Sequence, residues 1–199
     1  MEQYDAIKEI FEKQNGIART SDITSHGIHN AYLDDLCKKG VVSRIKRGVY
    51  EWTEYGTKDA LEIIHRLFPD CVVCMHSALS YYGYSDRTPD AWHLAFNRDI
   101  NKKRLKINYP PIKPYYVMSH ILEIGVAQEG MNNSPVRIYD RERTICDVLR
   151  YSNKIDQEIL NKAIQNYLKD SYRDIRKLIM YSKKLRIYKK VQQWMGVWL

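Results

Sequence analysis

Apolar positions over Tyr4 to Gln14 fall at Ile7, Ile10 and Phe11, the spacing of a helix with one buried face. Gly16 is a natural stop. After Ile17-Ala18-Arg19, Thr20 or Ser21 can cap a short second helix that includes Ile23. Gly27 breaks the chain again. Ile28 to Lys39 then reads as a third helix, with Ile28, Tyr32, Leu33 and Leu36 on its apolar side and Gly40 at its end. Val41 to Ile45 and Val49 to Trp52 are β-branched and aromatic runs. Lys46-Arg47-Gly48 joins them as a tight hairpin, with glycine supplying the turn conformation. Helix, short helix, helix and hairpin is the order of a winged helix-turn-helix.

Beyond Glu54-Tyr55-Gly56-Thr57, read as a linker, the periodicities alternate. A helix is expected over Asp59 to Phe68 with Leu61, Ile64 and Leu67 inward, then a buried strand over Cys71 to Met75. A helix from Ser77 to Tyr82 ends at Gly83. Ala91 to Phe96 and Tyr115 to Met118 read as strands. Val126 to Glu129 and Val136 to Tyr139 read as a hairpin around Asn132-Asn133-Ser134. After Asp140 the pattern is helical. Leu160, Ala163, Ile164, Tyr167 and Leu168 form one apolar stripe, and Val191, Trp194, Met195 and Trp198 another. The expectation is an α+β protein. A winged helix-turn-helix spans residues 1–56, and a mixed α+β domain with a helical C-terminal tail spans 57–199.

Composition narrows the class. Of 199 residues, 44% are hydrophobic and 28% charged, ordinary for a globular chain. The apolar runs are too short to cross a membrane. The start, Met1-Glu2-Gln3-Tyr4-Asp5, has no signal-peptide character. Four cysteines without framework spacing suit a reduced, cytoplasmic protein.

The formal net charge is +8, unevenly spread. Residues 1–56 hold 8 basic and 9 acidic side chains, and residues 57–199 hold 24 and 15. Basic clusters occur at Lys38, Lys39, Arg44, Lys46 and Arg47, at 98–106, and at 173–190. Together they point to a polyanion such as double-stranded DNA. In a helix-turn-helix the start of the third helix approaches the bases, which nominates Ser25, His26, His29 and Asn30, with Lys38 further along. Asn30 has the donor–acceptor pair that matches an adenine edge. Asp34 and Asp35 repel phosphate, so the helix would dock by its N-terminal end. Arg44, Lys46 and Arg47 on the wing would neutralise phosphates. Three such contacts give weak, salt-sensitive binding. Lys102, Lys103, Arg104, Lys183, Lys184, Lys189 and Lys190 are therefore candidates for auxiliary phosphate contacts.

Catalytic and metal signatures are sparse. Cys71-Val72-Val73-Cys74 lacks a second ligand pair at zinc spacing and reads as a buried strand. No P-loop, Rossmann fingerprint, nucleophile elbow or metalloprotease motif is present. His76, His93 and His120 are scattered. Asp140 suits the N-cap of a helix carrying Glu142, Arg143 and Asp147. That group fits either a buried cap and ion pair or a functional cluster. Pro110-Pro111 and Pro114 suit a strand-flanking loop better than a polyproline ligand. No enzyme activity, cofactor or metal is expected.

The ordered motifs resemble a family. Gly16-Ile17-Ala18-Arg19-Thr20-Ser21-Asp22-Ile23, Gly27-Ile28, Tyr32-Leu33, Leu36, Gly40 and Arg47-Gly48-Val49-Tyr50 resemble the winged helix of AbiEi-type antitoxins from abortive-infection, type IV toxin–antitoxin systems. Ser77 to Gly83, Trp92-His93-Leu94-Ala95, Pro135 to Tyr139, Arg143 to Asp147 and Arg150 to Ile155 extend the likeness through the chain. The resemblance implies repression of the protein's own operon through inverted repeats in its promoter. It also implies protection against a nucleotidyltransferase-like toxin without a stable complex, and a second domain linked to antitoxicity. A monomer or weak dimer, paired on DNA, is the expected state. The rival readings are a regulator without a toxin partner and a nucleic-acid-processing enzyme.

Overall fold

The structure is a computed structural model and describes residues 2–55, 59–131 and 134–198. The expected linker residues Gly56 and Thr57, and the Asn132-Asn133 turn, lie outside them. The chain divides into two units. One comprises residues 1–63 with 102–111; the other comprises 64–101 with 112–199.

In the first unit, α1 (Glu2–Lys13) is followed by β1 (Ile17–Arg19), α2 (Thr20–Thr24), α3 (Asn30–Lys38), β2 (Val42–Lys46) and β3 (Val49–Trp52). Strands β2 and β3 are the expected wing. They pair antiparallel around Arg47-Gly48, with Gly48 at φ +77° and the register shifting between Arg44 and Lys46. Strand β1 was not expected from the sequence. Three residues carry too little periodicity to announce a strand, and Ile17–Arg19 is held by β3, which lies between β1 and β2 in the sheet. The third helix begins at Asn30, two residues later than the apolar pattern suggests, because His29 is its N-cap.

Ile7, Phe11, Ile23, Leu33, Leu36 and Val42 build the core around Trp52, which is fully buried. The rings of Tyr4 and Phe11 each lie 5.4 Å from that of Trp52, at tilted or edge-on angles that aromatic pairs favour. Residues 102–111 add a 3-10 turn at Lys102–Leu105 that buries Leu105.

The second unit is α+β. Helix α4 (Ala60–Leu67) contains the division between the units and buries Leu61, Ile63, Ile64 and Leu67. After it come β4 (Val72–Val73), α5 (Met75–Tyr81), β5 (Trp92–Asn97), β6 (Ile112–Val117), α6 (Ser119–Leu122), β7 (Val126–Met131) and β8 (Ser134–Tyr139). The sheet order is β6-β5-β4-β8-β7. Strand β4 runs antiparallel to β5 and parallel to β8, and β5 runs parallel to β6. Strand β4 is shorter than Cys71 to Met75 because Cys74 already serves as the N-cap of α5. Pro114 is tolerated within β6 because that strand lies at the sheet edge.

The helical tail is α7 (Arg141–Arg150), α8 (Gln157–Lys169), α9 (Ile175–Lys184) and α10 (Tyr188–Met195). Residues 142–149 of α7 are all buried. Asp140 caps α7, its Oδ1 accepting the Arg143 N–H at 2.8 Å, as the sequence suggests. The α8 stripe is buried at Leu160, Ala163, Ile164 and Tyr167. The final stripe is buried only at Val191 and Met195; Trp198 lies in a 3-10 turn past the end of α10 and is 56% exposed.

Candidate nucleic-acid interface

Helix α3 buries Leu33 and Leu36 and leaves Asn30, Ala31, Asp34 and Lys38 exposed. Asn30, Asp34 and Lys38 are spaced four apart and share one side of the helix. Asp35 forms an ion pair with Lys39 at 2.7 Å, which offsets its charge; Asp34 stays on the exposed side. His29 Nδ1 accepts the Ala31 N–H at 3.3 Å, so part of this imidazole serves as the helix cap.

Ser25 and His26 turn back onto α2. The Ser25 hydroxyl donates to the Asp22 carbonyl at 2.8 Å, and His26 Nδ1 lies 2.7 Å from the same oxygen. Their side chains therefore help to set the turn before α3. Asn30 is left as the exposed amide at the start of the helix.

The wing is tied to α2, since the Thr20 N–H donates to the Gly48 carbonyl at 3.0 Å. The guanidinium of Arg44 lies 5.9 Å from the Tyr50 ring centroid. A second tie comes from far along the chain. The Asn108 N–H donates to the Ile45 carbonyl at 2.8 Å, and its side-chain amide donates to the Arg44 carbonyl at 3.3 Å.

This bond pair holds segment 102–111, with Lys102, Lys103 and Arg104, in the winged-helix unit. Burial, followed by the charges of Arg104 and Arg19, holds the Lys46 ammonium below the usual lysine value. Arg19 and Arg104 are thus each close enough to repel Lys46. Such a concentration of cations lowers the electrostatic cost of bringing up a polyanion. Arg19 escaped sequence reasoning because it lies outside the basic clusters. A link between Arg104 and the wing has no signal in local spacing.

The C-terminal cations separate into different environments. Lys183 lies 5.3 Å from the Tyr188 ring centroid, and Lys184 and Lys189 are exposed. Lys190 turns inward. Its ammonium donates to the Arg150 carbonyl at 2.9 Å and to the Leu149 carbonyl at 3.5 Å, at the C-terminal end of α7.

The other sequence candidates resolve into packing. Arg143 is almost fully buried. Its Nε donates to Asp147 at 3.1 Å, and its Nη1 donates to the Ile121 and Ile124 carbonyls at 2.8 and 2.6 Å. Glu142 accepts from the Tyr167 hydroxyl and the Asp174 N–H. Burial pushes the Cys71 thiol up to about 12 and that of Cys74 well above its ordinary value. Among the described residues no cluster of three or more His, Cys, Asp or Glu could hold a metal ion. Among them, too, no helix is long and apolar enough to cross a membrane.

Comparison with known proteins agrees with the fold. The crystal structure of the RV2827C protein from Mycobacterium tuberculosis superimposes with a TM-score of 0.55 at 12% identity, covering 96% of this chain and 79% of that one. At that identity the likeness shows the fold alone. No curated protein matches the chain in sequence. Residues 5–51 match a family model described as "Transcriptional regulator, AbiEi antitoxin". The matched span runs from α1 into β3, so it is the winged helix of this chain that carries the sequence signature of the AbiEi antitoxin regulators.

Proposed function

We propose that this protein is the antitoxin of a type IV, abortive-infection toxin–antitoxin system used in phage defence, and that it represses its own promoter. The observation that carries the reading is the family match over 5–51, coinciding with a basic wing. The winged helix binds double-stranded DNA at inverted repeats, one protein molecule per repeat. Asn30 and Lys38 face the groove, with Ser25, His26 and His29 setting the helix start. Arg19, Arg44, Lys46, Arg47 and Arg104 contact phosphates, assisted by Lys102 and Lys103. The second unit carries protection against a nucleotidyltransferase-like toxin, without a stable complex. Its exposed Lys183, Lys184 and Lys189 add phosphate contacts. The protein acts in the cytoplasm as a binding protein, with no catalytic step of its own.

Growth rescue tests the reading. The neighbouring nucleotidyltransferase-like protein is expressed from one promoter, and the full chain from an unrelated one. Rescue is expected, together with retardation of a duplex carrying the protein's own promoter repeats. Retardation without rescue, with the chain soluble, would leave a regulator that has no toxin partner. Point variants of the full chain separate the two activities better than a cut near residue 57, because segment 102–111 belongs with the winged helix.

A further inference from the structure

Two of the histidines scattered in sequence meet in the second unit. His76 on α5 and His93 on β5 have ring centroids 4.7 Å apart, tilted by 51°. The His93 ring is fixed in place. Its Nδ1 lies 3.0 Å from the Tyr115 hydroxyl, and its backbone N–H donates to the Ser77 hydroxyl at 2.9 Å. His93 is only 4% exposed. The Nε2 of His76 is shielded from solvent and has no hydrogen-bond partner. Both imidazoles line a cavity of about 310 Å³, together with Lys113 from β6. That volume is within the range of small-ligand sites, roughly 300–1,000 Å³.

The chemistry of the walls selects the ligand. A buried ring nitrogen without a partner is costly, so His76 Nε2 carries an unmet hydrogen bond in the wall of this cavity. Burial keeps both imidazoles below the usual histidine range, and the charge of Lys113 acts on both in the same direction. The Lys113 ammonium in the same wall disfavours a metal cation and favours an anion. Arg87, on the rim, is already engaged by Asp156 and Glu158. Asp90 is the acid among the lining residues, and its charge is not among those acting on the rings. Pro89, Ala91 and Ile159 offer an apolar wall to the rest of a ligand.

We propose that this cavity binds a small molecule bearing an oxyanion, a phosphate monoester or a carboxylate, with Lys113 as its charged donor and the His76 and His93 rings in its wall. The site is separate from the DNA-binding reading and does not depend on it.

The test uses the full chain with ¹⁵N-labelled histidine, followed by nuclear magnetic resonance of the ring nitrogens. The probes are inorganic phosphate, ribose 5-phosphate and acetate. A saturable shift of His76 and His93 is expected, with His120 unmoved as an internal reference. Shifts with the phosphates identify a phosphate ligand, and shifts with acetate alone a carboxylate. In Lys113→Ala, an exposed position, affinity should fall about ten-fold, the size of one charge-assisted hydrogen bond. Rings that respond to none of the probes, or equal affinity in Lys113→Ala with the fold unchanged by circular dichroism, would overturn the proposal.

Discussion

Gly125 lies so close to Arg143 that any side chain there would strike it: an added Cβ would come within 2.5 Å of the Arg143 Cβ. Gly125 also sits at φ +76°, where side chains are strained in open space as well. The near approach follows from what Arg143 does. By donating to the carbonyls of Ile121 and Ile124 it draws the end of α6 and the turn before β7 down onto α7. Gly125→Ala should therefore destabilise the protein by about 3 kcal/mol, combining overpacking with a disfavoured φ. Gly130→Ala is the control, since no atom lies within 4 Å of the added Cβ there. Denaturant titration of both variants checks the difference; equal midpoints would refute the clash.

The Arg143–Asp147 pair gives a second expectation. Their side chains are 1% and 11% exposed, so neither charge is well solvated. Arg143→Met strands the Asp147 carboxylate and leaves two carbonyls without their donor, a loss of about 3–5 kcal/mol. Adding Asp147→Leu should restore only part of this, because the Ile121 and Ile124 carbonyls stay unpaired. A double-mutant cycle measures the coupling, expected to be at least about 1 kcal/mol. Full recovery in the double variant would mean that the ion pair matters and the carbonyl contacts do not.

These two relationships mark what the sequence can and cannot announce. Asp140 as the cap of α7 was legible, because capping is local and acts within three residues. The wing was legible too, because β-branched runs flank a glycine turn. The partners of Arg143 were not, because Ile121 and Ile124 are some twenty residues away and contribute only backbone oxygens. Strand β1 was hidden for the same reason: pairing with β3 defines Ile17–Arg19, and its own composition does not. The union of Arg104 with the wing depends on Asn108 bonding to β2, and the meeting of His76 with His93 on a strand–helix packing. Such contacts between distant residues leave no periodicity to read.

His93 yields a pH prediction. Burial, then the neighbouring His76 and Lys113, lower its value to about 4. In the unfolded chain it titrates at about 6.5. Between those values the unfolded state binds the proton and the folded state does not, so folding loses free energy as pH falls. The contribution is fully present above about 6.5 and levels off below about 4. His93→Phe should reduce the slope of stability against pH across that window. Nuclear magnetic resonance titration gives the direct check: a His93 midpoint near 6.5 in the folded protein would sink the argument.

The wing offers the sharpest test of the DNA-binding reading. Each cation that meets a phosphate releases counterions, so the slope of log affinity against log salt counts contacts, at about 0.9 per phosphate. Arg44→Ala, Lys46→Ala and Arg47→Ala together should weaken binding to the promoter repeats and flatten that slope by up to about three. Arg104→Ala alone should flatten it by about one, although residue 104 is far from the wing in sequence. Its effect should be lost if Asn108→Pro, which removes both the N–H and the side-chain amide, has already freed the segment from β2. Lys190→Ala should leave the slope unchanged, because its ammonium is spent on the Leu149 and Arg150 carbonyls. The wing variants should also keep their ability to rescue growth. If Arg104→Ala left the slope untouched, segment 102–111 would serve only to brace the wing. If the wing triple abolished rescue with the fold intact, antitoxicity would depend on the DNA-binding surface.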